Sequence, residues 1–467
     1  MDVSKYKYYL PFSVKNVERN DNSMRPEQLY FRVLPRVVPC NQVSRIVIEP
    51  LFDYYQINKD AFYEVGVVPM EHRSRNGDFF IPSSFDVGAI LNTVGVQTIK
   101  PENGCFVFEY TFEDEQEQII YLREKAGEKK LVGAFSVYSL KEDLFGRLPL
   151  KGDLHMHSNC SDGKEPPAFV AASCRKIGLD FMALTDHGKY TPSIKAQEAF
   201  RPNDIDLKIF RGEEVHAPNN PVHIVNFGGG FSVNELFTGE NSFKYQNEIE
   251  DIMQGLGAIP HGVNKFQYAS CLWVFDNIRK AGGLGIFCHP YWLIYSGFSP
   301  AGRLTDYLFE TQPFDALEVI GGYYKYQVDS NTLQVARYHE ERAKGRKIPV
   351  VGVSDAHGCE NGQLFGWYYS IVFTPSNNLK DIIQSIKDGY SVAVEKMEGE
   401  SARAYGSFRM VKFALFALRE LFYEHDKICK EEGLLMLEYL KGEEDVSAEL
   451  RHKKGRAINS IQKLYAQ

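Results

Sequence analysis

Nine residues able to ligate metal follow one another along the chain: His155, His157, Asp162, His187, Glu214, His223, His289, Asp355 and His357. Six of the twelve histidines belong to this set. Imidazoles and carboxylates in such number suit transition-metal ions, and hydrolysis is the chemistry that clustered ions of this kind support. The series begins at Asp153-Leu154-His155-Met156-His157. On a strand, residues two apart share a face, so His155 and His157 can grip one ion while Leu154 and Met156 pack outward. Ser161-Asp162-Gly163 adds a carboxylate on a turn, and Thr185-Asp186-His187 closes the next apolar run. In Gly212-Glu213-Glu214-Val215-His216 a carboxylate could span two cations with its two oxygens, and either glutamate satisfies that chemistry. Val222-His223-Ile224 and Cys288-His289-Pro290 each put an imidazole at the edge of an apolar strand, and Ser354-Asp355-Ala356-His357 repeats the two-residue spacing.

His216 lies two residues beyond Glu214, so on a strand it faces the same way, further toward solvent. There it could protonate a leaving-group oxygen or hold a phosphate. The competing reading is a surface histidine at a strand end.

Three zones must position these residues. Residues 1–148 read as a β-sandwich-like domain: short runs such as SRIVIEPL, CFVFEYTF and VGAFSVYSL are rich in β-branched and aromatic residues, with polar or Gly/Pro breaks between them. Residues 149–398 alternate apolar strands with amphipathic helices, which predicts a parallel α/β barrel presenting its active residues at one mouth. Pro166 and Pro167 mark the start of its first helix and Gly178 its end. Within this zone 229–272 is longer than a barrel loop requires; leaving the C-terminal end of the fourth strand, it reads as a lid over the site or as a peripheral helical insertion. Lys189, Lys265, Arg303 and Lys325 are the candidates for phosphate contacts, each with a solvated surface charge as the alternative. Residues 399–467 read as helix, with Gly433 and Gly442 as breaks; the nearly all-apolar stretch 413–422 implies packing on its own barrel or a homo-oligomer contact.

A chain of 467 residues with 44% hydrophobic content implies two or three domains with real cores. The net charge of −8 offers no basic footprint for duplex nucleic acid or an anionic membrane. Met1 to Phe12 is polar and Tyr-rich, no apolar run reaches spanning length, and the eight cysteines lack disulfide or zinc-ribbon spacing. A cytoplasmic protein with reduced thiols is the expectation.

Taken in order, HMHSNCSDG, LTDHG, GEEV, VHIV, CHP and SDAH resemble the motifs of the PHP (polymerase and histidinol phosphatase) metallohydrolases across residues 150 to about 394. The resemblance implies a distorted seven-stranded (β/α)7 barrel holding two to three divalent metals, zinc, manganese or iron. It implies a first ion on His155, His157, Glu214 and Asp355, a second on Glu214, His223 and His289, and a third on Asp162, His187 and His357. It places the shared carboxylate on Glu214 rather than Glu213. Asp162 and His187 then count, with His216, among the residues at the reacting centre. The implied activity is that of a phosphoesterase using a metal-bridging hydroxide on a small phosphomono- or phosphodiester. A carboxyl ester, carbamate or amide hydrolase and a non-catalytic PHP structural module are the alternatives. The N-terminal β domain is similar to the layout of the carbaryl-hydrolase-type (CehA/McbA) branch, although HAPNNPVHIV departs from the Gly-His that often precedes the fourth strand there.

Overall fold

The computed structural model describes residues 30–466 apart from 53–56, 75–76, 79–86, 295–296, 361–363 and 444–445. It is a mixed α/β protein with a helical C-terminal region.

In the N-terminal zone, strands Phe31–Leu34, Val43–Pro50 and Phe106–Thr111 form one antiparallel sheet. Val37–Pro39, Leu131–Leu140, Gln116–Glu124, Tyr63–Pro69 and Gln97–Ile99 form a second. Buried residues alternate along Val43–Pro50 and along most of Gln116–Glu124, as period-two side chains require. Their inward members, including Ile46, Ile48, Ile120 and Leu122, join Phe31, Phe106 and Phe135 in one core shared by the two sheets.

The ligand-bearing zone is built on two further sheets. One runs Lys208–Phe210, Phe181–Ala183, Leu148–Asp153, Tyr368–Thr374, Ser391–Glu395, Arg403–Gly406; the other runs Gly212–Val215, Ile224–Phe227, Leu284–Phe287, Ala316–Ile320, Val350–Gly352. Isolated parallel bridges Met156–Ala356 and His187–Glu214 couple them. The helix expected after Pro166 is present as Pro167–Lys176, with Pro166 capping it and Gly178 beyond its end at φ +96°.

The all-parallel expectation is corrected. Ile224–Phe227 runs antiparallel to both Gly212–Val215 and Leu284–Phe287. Residues 216–223, which separate it from the preceding strand, are too few for a parallel crossover of about a dozen residues or more. The reversal also sets where the 229–272 insertion leaves the sheet. Phe227 pairs with Gly212, at the end away from Val215 and the mouth, so 229–272 departs from the far side. Its helix Ser242–Gly255 packs on helix Lys265–Lys280, with Tyr245 edge-on to Trp273 at 5.0 Å and Trp273 Nε1 donating to Glu248.

At the C-terminus, helix Phe408–Glu420 buries Phe413, Ala414, Phe416 and Ala417 in a core that also contains Tyr138, Phe373 and Val392, so this apolar face is covered within the chain. Gly433 is not a break. It lies inside helix Phe422–Leu440 where helix Pro167–Lys176 crosses so closely that a Cβ would fall 2.2 Å from the Lys176 nitrogen. A buried polar network ties the two together: Arg175 donates to Glu432 and Asp180, and His425 Nε2 lies 2.7 Å from Asp180 Oδ1. No helix among the described residues is long and apolar enough to cross a membrane.

Candidate metal centre

Each expected ligand except Asp162, which sits on the turn before helix Pro167–Lys176, stands at a strand end or just past one. His155 and His157 follow Leu148–Asp153, His187 follows Phe181–Ala183, and Glu214 lies within Gly212–Val215. His223 immediately precedes Ile224–Phe227, whose reversed direction brings its beginning to the mouth. His289, Asp355 and His357 follow Leu284–Phe287 and Val350–Gly352.

Glu214 is the hub. Its Oε1 is 2.8 Å from His223 Nδ1 and 3.4 Å from His289 Nε2. Its Oε2 is 2.7 Å from His187 Nδ1, 3.4 Å from His155 Nε2, and 3.5 Å from Nε2 of both His157 and His216. Asp355 Oδ1 lies 3.2 Å from His155 Nε2 and 2.9 Å from His157 Nε2. Asp162 Oδ2 lies 3.4 Å from His187 Nε2 and 3.3 Å from His357 Nε2. Donors about 2.0–2.1 Å from a shared ion at tetrahedral angles lie about 3.3–3.4 Å apart, so most of these separations match a metal cage.

The polar bookkeeping agrees. Buried His155 Nε2, His157 Nδ1, His223 Nδ1 and both Glu214 oxygens have no hydrogen bond, including the His223–Glu214 pair at 2.8 Å, which is close but not aligned as one. Buried polar atoms are normally satisfied, and divalent ions are the partners that this convergent donor set fits. Burial opposes charge on Glu214, but His155 and His223 outweigh it and hold the carboxylate well below its usual range. Burial pushes His223 down to about 4 despite Glu214 beside it, leaving the neutral imidazole that can ligate. Two of the candidate ligands, His289 (φ +24°) and Asp355 (φ +51°), have positive backbone angles, and such strain concentrates at working sites.

Three supporting carboxylates went unassigned in the sequence. Glu318, fully buried on Ala316–Ile320, sets Oε2 3.1 Å from His155 Nδ1 and so fixes which ring nitrogen is left for an ion. Its only sequence signal is a charge in an apolar strand. Asp186 accepts from the backbone N–H and hydroxyl of both Ser158 and Ser161, holding the turn that carries Asp162. Gly163 is required there because a Cβ would meet the His157 carbonyl oxygen at 2.6 Å. Asp153, raised to about 7 by burial against hydrogen bonds from Ser354 and His155, ties two ligand-bearing segments together. Glu213 points the other way, as strand alternation demands, and accepts from Asn226, Ser232, Val233 and Asn234.

The cluster opens into a cavity of about 440 Å³ lined by Asp162, His187, His216, His223, His289, Asp355 and His357 on one side, with Trp292, Gly322, Tyr324, Tyr326, Gln327 and Leu364 completing it. His216 therefore faces the mouth as expected, but its Nε2 is drawn to within 2.9 Å of His187 Nδ1. None of the lysine and arginine candidates lines the cavity. Lys189 and Arg303 are solvent-exposed, Lys265 donates to the Leu256 carbonyl, and Lys325 lies over the Trp367 ring. A larger cavity, about 560 Å³, lies between the first β strand and the C-terminal helices and contains none of the ligand set.

Residues 153–333 match the model of the PHP domain family. A stretch of 53 residues is 45% identical to the DNA polymerase/3′-5′ exonuclease PolX of Bacillus subtilis (strain 168), covering 11% of this chain and 9% of that protein. Among solved structures, a two-domain protein of Bacteroides vulgatus containing a predicted PHP-like metal-dependent phosphoesterase aligns at TM-score 0.37 and 19% identity, over 53% of this chain and 65% of that one. A protein of Bifidobacterium adolescentis assigned as a metal-dependent phosphoesterase aligns at TM-score 0.31 and 18% identity, over 45% and 89%. This chain thus spans about a tenth of the PolX length and just under two thirds of the Bacteroides protein. It carries a PHP domain.

Proposed function

We propose that the chain is a PHP-type metal-dependent hydrolase of small phosphoesters, built as a (β/α)7-like barrel behind a sandwich-like N-terminal domain. The observation that carries this reading is the convergence of imidazoles from separate strands on the two oxygens of buried Glu214, with no hydrogen bonds to account for it. His155, His157 and Asp355 with Glu214 Oε2 would hold one ion, His223 and His289 with Oε1 a second, and Asp162, His187 and His357 a third. Bound there, such ions supply Lewis acidity toward an ester oxygen and activate water at neutral pH.

The chain's own groups do the rest. Glu318 orients His155 by accepting from its Nδ1, and Asp186 positions Asp162 through the serine turn. His216 stands at the rim, over a third exposed, where its Nδ1 side can hold or protonate a leaving-group oxygen. The partner is a small-molecule ester, with no duplex nucleic acid or membrane involved, and the setting is cytoplasmic. A panel of phosphomonoesters, phosphodiesters, carboxyl esters and carbamates tests the reading: turnover of a phosphoester, abolished by chelation and restored by metal, is expected. Turnover confined to carbonyl substrates, or none on metal-loaded protein, overturns it.

A further inference from the structure

Facing the imidazole wall of the cavity are three aromatic side chains and, among the described lining residues, no lysine or arginine. Trp292 sits 5.6 Å from the His223 ring and 5.8 Å from the His289 ring, directly beside the ligand set, yet remains 39% exposed. Tyr324 and Tyr326 stack on each other at 5.6 Å and 3°, and Tyr326 is 81% exposed. An aromatic ring left this open at a cavity mouth gives up burial that it would gain against a flat partner. Two nearby cations, Lys325, which lies over Trp367, and Lys164, whose backbone N–H donates to the His357 carbonyl, are not among the lining residues.

Resting on the phosphoesterase reading, we propose that this cavity selects an ester carrying one planar ring, aryl or nucleobase, and no anionic group besides the one being cleaved. The ring would lie against Trp292 and the Tyr324–Tyr326 stack while the phosphoryl group meets the metal centre. Stacking on aromatic faces tolerates any π-face, so aryl and nucleobase groups share this chemistry. Away from the imidazoles of the candidate ligand set, a second phosphate would meet Trp292, Tyr324, Tyr326 and Gln327, with no lysine or arginine among the described lining residues to pair with it.

The test is calorimetric binding to metal-loaded protein of phenylphosphonate, cyclohexylphosphonate, methylphosphonate, 1,4-phenylenebisphosphonate and the 5′-phosphonate analogue of deoxyadenosine. Phenylphosphonate is expected to bind about tenfold or more tightly than the cyclohexyl and methyl compounds, the scale of one stacking contact, and the bisphosphonate no tighter than phenylphosphonate. Comparing the nucleoside and phenyl compounds shows which ring the site prefers. Trp292→Leu and, separately, the fold-neutral Tyr326→Ala should shrink the planar preference with metal content unchanged. Equal binding of planar and non-planar compounds, tighter binding of the bisphosphonate, or an intact preference in both variants overturns the inference while leaving the phosphoester reading in place. Failure of every phosphonate to bind overturns both.

Discussion

Glu214→Gln removes charge at the point where the candidate ions meet. The amide keeps the side chain's volume but replaces one oxygen by an NH2 group, which has no lone pair to offer a cation. Whichever way it settles, either the His223–His289 side or the side facing His155, His157 and His187 loses its carboxylate ligand. Removing even an outer-shell partner of a metal ligand costs about 10–100-fold in affinity or activity, and a shared inner ligand costs at least the upper end of that range. The expected outcome is loss of at least about one equivalent of metal and a fall in hydrolysis of at least about a hundredfold. The neighbouring Glu213→Gln is the control. Its carboxylate accepts from four donors away from the cavity, so the amide sets NH2 against N–H and O–H groups and costs about 1–3 kcal/mol of stability. Metal content by elemental analysis, turnover and the thermal midpoint separate the two. If Glu213→Gln loses metal while Glu214→Gln retains it, the strand register and the hub assignment are both wrong.

Glu318→Gln should weaken metal retention about 10–100-fold under competition with a chelator while leaving the fold intact; unchanged retention would remove Glu318 from the support of His155. His216→Ala should keep metal content and lower turnover most for esters with poor leaving groups, and equal turnover of mutant and parent on such an ester would exclude it as the proton donor. Because His216 lies 2.9 Å from His187, a loss of metal in this variant would instead mark it as a tenth ligand. At the barrel's contact with the C-terminal helices, burial works against the Asp180 charge, but His425 and Arg175 outweigh it and hold the pKa near about 2, below the ordinary 3.8. That stabilisation is complete above 3.8 and disappears as pH falls through about 2. The stability gap between the parent and Asp180→Asn, read from denaturant midpoints, should therefore narrow from pH 5 to pH 2; a constant gap would show that Asp180 is not the titrating group.

The candidate cluster was legible because all its residues but Asp162 lie beside a short apolar run, and strand ends are where a barrel gathers its chemistry. Pro166 and Gly178 likewise bracketed the first helix by backbone preference alone. The reversed strand Ile224–Phe227 was readable in principle from the short link 216–223, but periodicity is blind to strand direction. Gly433 looks like a helix breaker until the crossing helix is seen, since close approach is a tertiary fact. Glu318, Trp292 and the Tyr324–Tyr326 pair were not singled out, because they come from three separate stretches that only the fold brings to the candidate ligands. The lysines and arginines chosen for phosphate were chosen by position near strand ends, and position does not say where a long side chain points.

Elemental analysis of protein purified gently and without chelators tests the central claim most directly. The convergent donor set predicts two to three equivalents of zinc, manganese or iron per chain, since imidazole and carboxylate clusters hold such ions tightly and unpaired buried donors are costly without them. A content below about one equivalent, unchanged after incubation with these metals, would contradict the account.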